Sequence, residues 1–179
     1  MSVPRHMRQN PDESVDTFTF KTDGLLPNNP ELPAVLYKAA LQDQPELAEQ
    51  LFNGNGWMNS WVNGVFSYHH YHSNAHEVLG VMSGSASLQL GGDSGSTVQV
   101  KAGDVLVLPA GTAHKRLTGT PDFRVAGAYP GGADYNTRRA TAADFAAALT
   151  EIAAVALPDS DPVYGKAGPL LKAWRAGGR

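Results

Sequence analysis

The stretch GVFSYHHYHSNAHEVLGVMSG, Gly64 to Gly84, carries four of the chain's six histidines and one glutamate, Glu77. A fifth histidine, His114, lies in a second strand-like stretch, GDVLVLPAGTAHKRL, from Gly103 to Leu117. The sixth, His6, sits in a polar N-terminal segment. In an extended strand residues two apart share a face, so His70 and His72 aim at one point while His69 and Tyr71 aim the opposite way. The turn through Ser73, Asn74 and Ala75 lets the next strand return antiparallel and brings Glu77 across from the pair. His114, reached through the Pro109–Gly111 turn, is a fourth candidate from a distant strand. Three imidazoles and a carboxylate suit a divalent first-row metal and leave positions open on an octahedral ion, as a catalytic metal requires.

His76 competes with Glu77 for that site. The two are adjacent, so in a strand only one of them points inward. Leu79 and Val81 share the parity of Glu77, whereas His76 falls at the turn and is expected to give a supporting hydrogen bond. Tyr68 and Phe66 share the parity of His70; Tyr68 is a candidate for the pocket wall and Phe66 for plain core. Arg116 shares the parity of His114, where a guanidinium could meet a carboxylate or phosphate. Trp57, Trp61, Phe123 and Tyr129 are candidate rim aromatics, with ordinary packing as the default.

Composition narrows the chemistry. The chain of 179 residues has no cysteine, so thiolate, disulfide and iron–sulfur chemistry are excluded and any metal is held by nitrogen and oxygen. A hydrophobic fraction of 42% with 17% charged residues fits one globular domain. The net charge of -3, with no run of lysine or arginine, argues against nucleic acid as a partner. No apolar run reaches the roughly 18 to 20 residues of a membrane span, and no signal-length apolar core opens the chain. The expectation is a cytoplasmic protein with no membrane partner.

Around the histidine stretch the pattern predicts residues 1–16 as a flexible tail and 17–179 as a single domain. Strands are expected at Thr17–Lys21 and Ala34–Tyr37, and a helix over Gln44–Phe52 capped by Asp43. From Trp57 the chain changes to short strands with regular turn punctuation. Trp57–His72, Glu77–Ser83, Ala86–Leu90, Thr97–Lys101, Asp104–Leu108, His114–Leu117 and Phe123–Tyr129 make an all-β core over about 57–130, with Gly91-Gly92-Asp93 turning a hairpin. Helices follow within 141–175. Thr141 caps the first, whose apolar stripe is Phe145, Leu149, Ile152 and Val155. The second, around Leu170–Arg175, carries Leu171 and Trp174.

The spacing Gly64, five residues, His70, one, His72, four, Glu77, six, Gly84 resembles the first motif of the cupin superfamily. Gly103, five residues, Pro109, one, Gly111, two, His114 resembles the second. Thr118 stands where an asparagine often closes that motif, at a position that is not a ligand. DGLLPNNPELPAVLYK, HHYHSNAHEVLGVMSGSASLQLGG, KAGDVLVLPAGTAHKRL and DFRVAGAYPGG are further similar to the YjlB-type cupins. The resemblance implies a double-stranded β-helix, or jelly-roll barrel, with short flanking helices, and His70, His72, Glu77 and His114 as the metal ligands; Tyr68, His76 and Arg116 stay pocket or supporting candidates on their strand positions alone. Iron, manganese, nickel, cobalt, copper and zinc all accept this donor set, with a slight preference for iron or manganese. The expected function is a metal-dependent oxygenase or isomerase acting on a small molecule, with no general base identified. The alternative is a non-catalytic, metal-dependent small-molecule module that binds or senses, for example, a sugar. A homodimer is expected in either case.

Overall fold

The computed structural model describes residues 15–178. The tail expected at 1–16 therefore lies outside the described residues as far as position 14, and its last two residues already belong to β1, Val15–Phe18. β1 pairs antiparallel with β2, Ala34–Tyr37. A 3-10 turn, Pro45–Leu47, leads into α1, Ala48–Gly54. Gln44, not Asp43, stands at the N-cap of that turn, and its side chain makes no capping bond.

The strand region holds β3 (Trp57–Asn63), β4 (His70–Tyr71), β5 (Glu77–Ser83), β6 (Ser85–Leu90), β7 (Ser96–Lys101), β8 (Val105–Leu108), β9 (His114–Gly119) and β10 (Arg124–Pro130). β11 (Arg138–Arg139), α2 (Ala142–Ala154) and α3 (Pro169–Gly178) follow. These strands form two antiparallel sheets, a six-stranded one in the order β1-β2-β8-β5-β10-β3 and a five-stranded one in the order β11-β4-β9-β6-β7. The result is a two-sheet jelly roll whose sheets are not closed into a barrel. The expected single run Trp57–His72 is broken, because β3 lies at the edge of the larger sheet and β4 in the smaller one.

Alternation along the larger sheet sorts its side chains into two cores. Ala34, Leu36, Leu79, Val81, Leu106, Leu108 and Val125 face the smaller sheet and meet Ala86, Leu88, Leu90, Val98 and Val100. Val35, Tyr37, Val78, Val105, Val107, Ala126 and Ala128 face outward, against Ala48 and Phe52 of α1 and Leu170 and Trp174 of α3. β2 and β8 are covered on both faces, which explains why they read as unbroken apolar runs, AVLY and VLVL. Gly80, on the outward face of β5, leaves the space for α1: a Cβ there would lie 2.7 Å from Phe52 Cζ.

Two anchors hold the C-terminal segment to this outer core. The buried Asp161 carboxylate accepts the Tyr37 hydroxyl at 2.6 Å and the backbone N–H groups of Val163, Tyr164 and Leu170. Trp174 donates its indole N–H to the Pro33 carbonyl at 2.8 Å. The expected stripe on α2 is corrected in one respect: Ala148 and Ile152 are its buried residues, and Leu149 is 50% exposed. The helix packs through Ala148 and Ile152 against Leu26, Tyr71 and Ala113.

Candidate metal centre

The centre lies between the sheets at one end of the inner core. His70 of β4 and His114 of β9 are direct cross-strand partners in the smaller sheet, so their side chains share a face. Their ring centroids are 4.1 Å apart. His72 follows two residues after His70, with its centroid 5.8 Å from that of His114. One ligand-capable atom from each of His70, His72 and His114 lies within 4.8 Å of the others. All three are buried, as is Glu77.

Glu77 arrives from the other sheet. The turn at residues 73–75 does not return β5 alongside β4 as a hairpin; it carries the chain across the sandwich, and Glu77 pairs with Leu108 of β8. The carboxylate is thus set opposite the histidines, facing them through the core. Parity within β5 behaves as expected, Glu77 and Leu79 both lining the same cavity. His114 depends on the turn before β9, where Gly111 adopts φ +92° and a Cβ would lie 2.8 Å from the Asn28 carbonyl oxygen. An L side chain is strained there whatever the space.

The hydrogen bonds decide which nitrogen of each ring is free. The His70 Nδ1–H donates to the Tyr68 carbonyl at 3.1 Å, that of His72 to the Asn136 carbonyl at 2.5 Å, and that of His114 to the Thr112 carbonyl at 3.0 Å. A carbonyl only accepts, so each Nδ1 carries a proton and Nε2 is left as the ligand-capable nitrogen of each ring. Three rings are thereby fixed in one tautomer, with the same nitrogen available on each.

Charge at the centre is balanced between Glu77 and the imidazoles. Glu77 Oε2 lies 3.0 Å from His72 Nε2 and accepts the Tyr129 hydroxyl at 2.7 Å. Burial pushes the His72 imidazolium down, but the Glu77 charge, its hydrogen bond and the Asn136 carbonyl together win, and the net direction is up. For Glu77 burial raises the carboxyl, yet the His72 charge and the two histidine partners hold it well below the usual range. Burial, then the neighbouring His114, push His70 down to about 3, so that ring is neutral. Glu77 Oε1 is buried 3.3 Å from His114 Nε2 but receives no aligned hydrogen bond. A buried carboxylate oxygen without a hydrogen bond is costly unless a cation joins it. This donor set fits a divalent first-row metal, and His70, His72, His114 and Glu77 are the residues able to hold it.

A second layer fixes the carboxylate. Trp61 donates its indole N–H to the Tyr129 hydroxyl at 2.8 Å, and that hydroxyl donates on to Glu77. Burial and then the Glu77 charge hold the Tyr129 phenol firmly protonated. Tyr135 stacks on Tyr129 with centroids 4.0 Å apart and meets the His72 ring edge-on at 5.1 Å. The centre opens into a cavity of about 440 Å³ walled by Trp61, Val65, Phe66, Leu79, Tyr129 and Tyr135.

The remaining sequence candidates fall elsewhere. His76 is buried on the opposite side of β5, where its Nδ1 accepts the Ala110 N–H at 2.9 Å and its Nε2 donates to the Ala156 carbonyl at 3.1 Å. Its ring lies against Trp174, and burial pushes it down to about 4. Tyr68 supplies its carbonyl to His70, but its ring stacks on Phe66 and lies under the Arg139 guanidinium, 3.8 Å from the centroid. It lies outside any strand, so strand parity does not govern it. Arg116 is half-buried on β9 and does not line the cavity. His69 turns outward to Asp93 at 2.8 Å. Phe66, expected as core, is 52% exposed at the cavity mouth.

Sequence reasoning missed Asn136 and Tyr135 and took Tyr129 only for a rim aromatic. Asn136 acts on His72 through its backbone carbonyl, which no residue type reveals. Tyr129 had a visible signal, an aromatic with a polar tip on a strand adjacent in the sheet to β5.

A cupin-domain family model matches residues 56–120. The uncharacterized protein YjlB of Bacillus subtilis (strain 168) is 45% identical over 163 residues, spanning 91% of this chain and 98% of its own length. Among solved structures, procruciferin, an 11S globulin from Brassica napus, aligns with 18% identity and a TM-score of 0.36 over 73% of this chain and 30% of its own. Acireductone dioxygenase from Bacillus anthracis, with a cadmium ion in its active centre, aligns with 18% identity and a TM-score of 0.36 over 52% of this chain and 62% of its own.

Proposed function

We propose, from the premise that this chain belongs to the YjlB-type cupins, that it is a metal-dependent enzyme of the oxygenase or isomerase class acting on a small molecule. The observation that carries this is the convergence of three Nδ1-pinned imidazoles on a buried carboxylate whose Oε1 receives no hydrogen bond among the described residues, in the wall of a cavity. His70, His72, His114 and Glu77 are the proposed ligands. A bound divalent metal, with iron or manganese favoured, supplies a Lewis acid with open positions and, for iron, redox chemistry towards dioxygen.

The chain's own residues do the rest. The three imidazoles and Glu77 would hold the metal at the inner end of the cavity, which they line. Trp61 and Tyr129 hold Glu77 so that one oxygen faces the histidines. Tyr135, Phe66 and Leu79 exclude bulk water from the inner part of the cavity, which strengthens electrostatic interactions there. Tyr129 is committed to Glu77 and is not free as a general base.

The lining favours a substrate of low charge. Among the described lining residues there is no lysine or arginine, and only Asn63 and Thr137 add neutral polar side chains beyond the ligands and tyrosines. A sugar-binding module would need more hydrogen-bonding groups than this, so the enzymatic proposal stands ahead of the non-catalytic one. No helix among the described residues is long and apolar enough to cross a membrane. A cytoplasmic setting and a homodimer belong to the same proposal, the dimer supported by β3, an edge strand that leaves Met58 exposed.

Elemental analysis of protein purified without metal-affinity resin tests the site, with His72→Ala as the control. Near-stoichiometric metal in the parent and none in the variant is expected; equal metal in both would end the assignment. Oxygen uptake with candidate low-charge substrates then separates an oxygenase from a binding module.

A further inference from the structure

This inference rests on the metal proposal and concerns what holds His72 in place. β11 is only two residues long, yet it pairs with β4 through Arg138 opposite Tyr71 and Arg139 opposite His70. A ladder that short cannot fix its own position. The fixing comes from α2, where Asp144 and Glu151 stand two helical turns apart on one face. Arg138 spans both: Nη1 donates to Asp144 Oδ1 at 2.8 Å and Nη2 to Glu151 Oε1 at 2.8 Å.

From Glu151 the network runs inward. Its Oε2 accepts the Ser73 hydroxyl in a short hydrogen bond, together with Arg138 Nε at 3.2 Å and Asn136 Nδ2 at 3.2 Å. Asn136 Oδ1 accepts the Ser73 N–H at 2.9 Å, and its Nδ2 also donates to Ser73 Oγ at 2.7 Å. The Asn136 carbonyl in turn accepts the Nδ1–H of His72 at 2.5 Å. The Asn74 side chain adds a further tie, accepting the Asn136 N–H at 2.9 Å. Residues 72–74 and residue 136 are thus locked to each other, and both to α2.

An isolated surface ion pair contributes little, about 0–1 kcal/mol. This one differs in what hangs from it. Ser73 is fully buried, and the carboxylate of Glu151 is where Ser73, Asn136 and Arg138 meet. Removing that carboxylate leaves Asn136 held by Ser73 and Asn74 alone, without its direct tie to α2, and loosens the carbonyl that selects the tautomer of His72.

We propose that Glu151 is a positioning residue for the metal centre: anchored by Arg138, it fixes Ser73 and Asn136 and through the Asn136 carbonyl sets the tautomer and orientation of His72. It touches neither metal nor substrate. Its effect is on how well His72 is presented.

The test uses the full chain stripped of metal by a chelator and titrated with Co(II). Affinity is read by competition with a chromophoric chelator, geometry by the visible absorption of the bound Co(II), and folding by the metal-free melting temperature. Glu151→Ala is expected to weaken Co(II) binding about 10–100-fold and to change the absorption spectrum. Glu151→Gln, which keeps an oxygen for Ser73 and Asn136, should fall between parent and Glu151→Ala in both readouts. A Glu151→Ala protein with parental affinity and spectrum, while His72→Ala has lost binding, overturns the inference and leaves the metal proposal standing. If His72→Ala binds as the parent does, the metal proposal itself fails. Should Glu151→Ala not fold, Glu151→Gln and Ser73→Ala decide, and parental affinity in both overturns the inference.

Discussion

The two faces of β5 put buried histidine to opposite uses. On the outward side, against α3, His76 has both ring nitrogens engaged and its ring packed on Trp174. On the inward side, His70, His72 and His114 each have only Nδ1 engaged by a carbonyl, and Glu77, one residue along from His76, faces them. Burial and residue type are the same in both regions. The difference is what the second ring nitrogen meets: in His76 a backbone carbonyl takes it, whereas in the cluster Nε2 faces the cavity or the Glu77 carboxylate, which makes those three rings the candidate ligands.

Substitutions can sharpen or break that contrast. The largest effect is expected from His72→Ala, which should lower metal affinity by more than the roughly 10–100-fold typical of outer-shell losses and also lower the metal-free melting temperature, since the buried Glu77 carboxylate loses its partner at 3.0 Å. Next, His76→Ala should leave metal content intact but destabilise the fold by about 2–4 kcal/mol in denaturant unfolding, since it opens a cavity beside Trp174 and strands the Ala110 N–H. Metal loss in His76→Ala with an intact fold would erase the distinction between the faces.

Two glycines offer a matched pair. A Cβ on Gly80 meets Phe52 at 2.7 Å on the outward face, and one on Gly127 meets the Trp61 ring at 2.3 Å on the inward face. Gly80→Ala and Gly127→Ala should each cost about 1–3 kcal/mol of stability by overpacking. Only Gly127→Ala should also weaken metal binding, because Trp61 leads to Tyr129 and Glu77. The smallest effect on binding is expected for Tyr129→Phe: about 10-fold weaker metal binding by chelator competition, or about 1.4 kcal/mol, with a stability loss of about 1–3 kcal/mol because the Trp61 N–H and Glu77 each lose a partner.

Much of this was legible before any coordinates. β2 and β5 occupy the residues that their apolar patterns mark, and the parity of Glu77 with Leu79 and Val81 places the carboxylate inward. Local periodicity carries that information because each strand's face is set by its own pleat. What periodicity does not carry is which sheet a strand joins. The step from His72 to Glu77 reads equally well as a hairpin turn or as a crossing between sheets, and the chain takes the crossing. Parity also fails where a residue is inserted: β3 holds a bulge against β10, with Asn59 at φ +56°, so Trp57 faces the outer core while Trp61, four residues later, faces the inner one. The Glu151 network was not visible because it acts through a backbone carbonyl brought close by tertiary structure.

That same bulge divides the chain's three tryptophans optically. Trp57 and Trp174 are sealed in the outer core, away from the candidate ligands, whereas Trp61 is bonded to the tyrosine that grips Glu77. Intrinsic fluorescence should therefore split into one indole whose emission shifts when a metal enters and two that stay constant as an internal standard. A Trp61→Phe protein would be dark to metal while still fluorescent, so binding can be followed in this protein with no added dye.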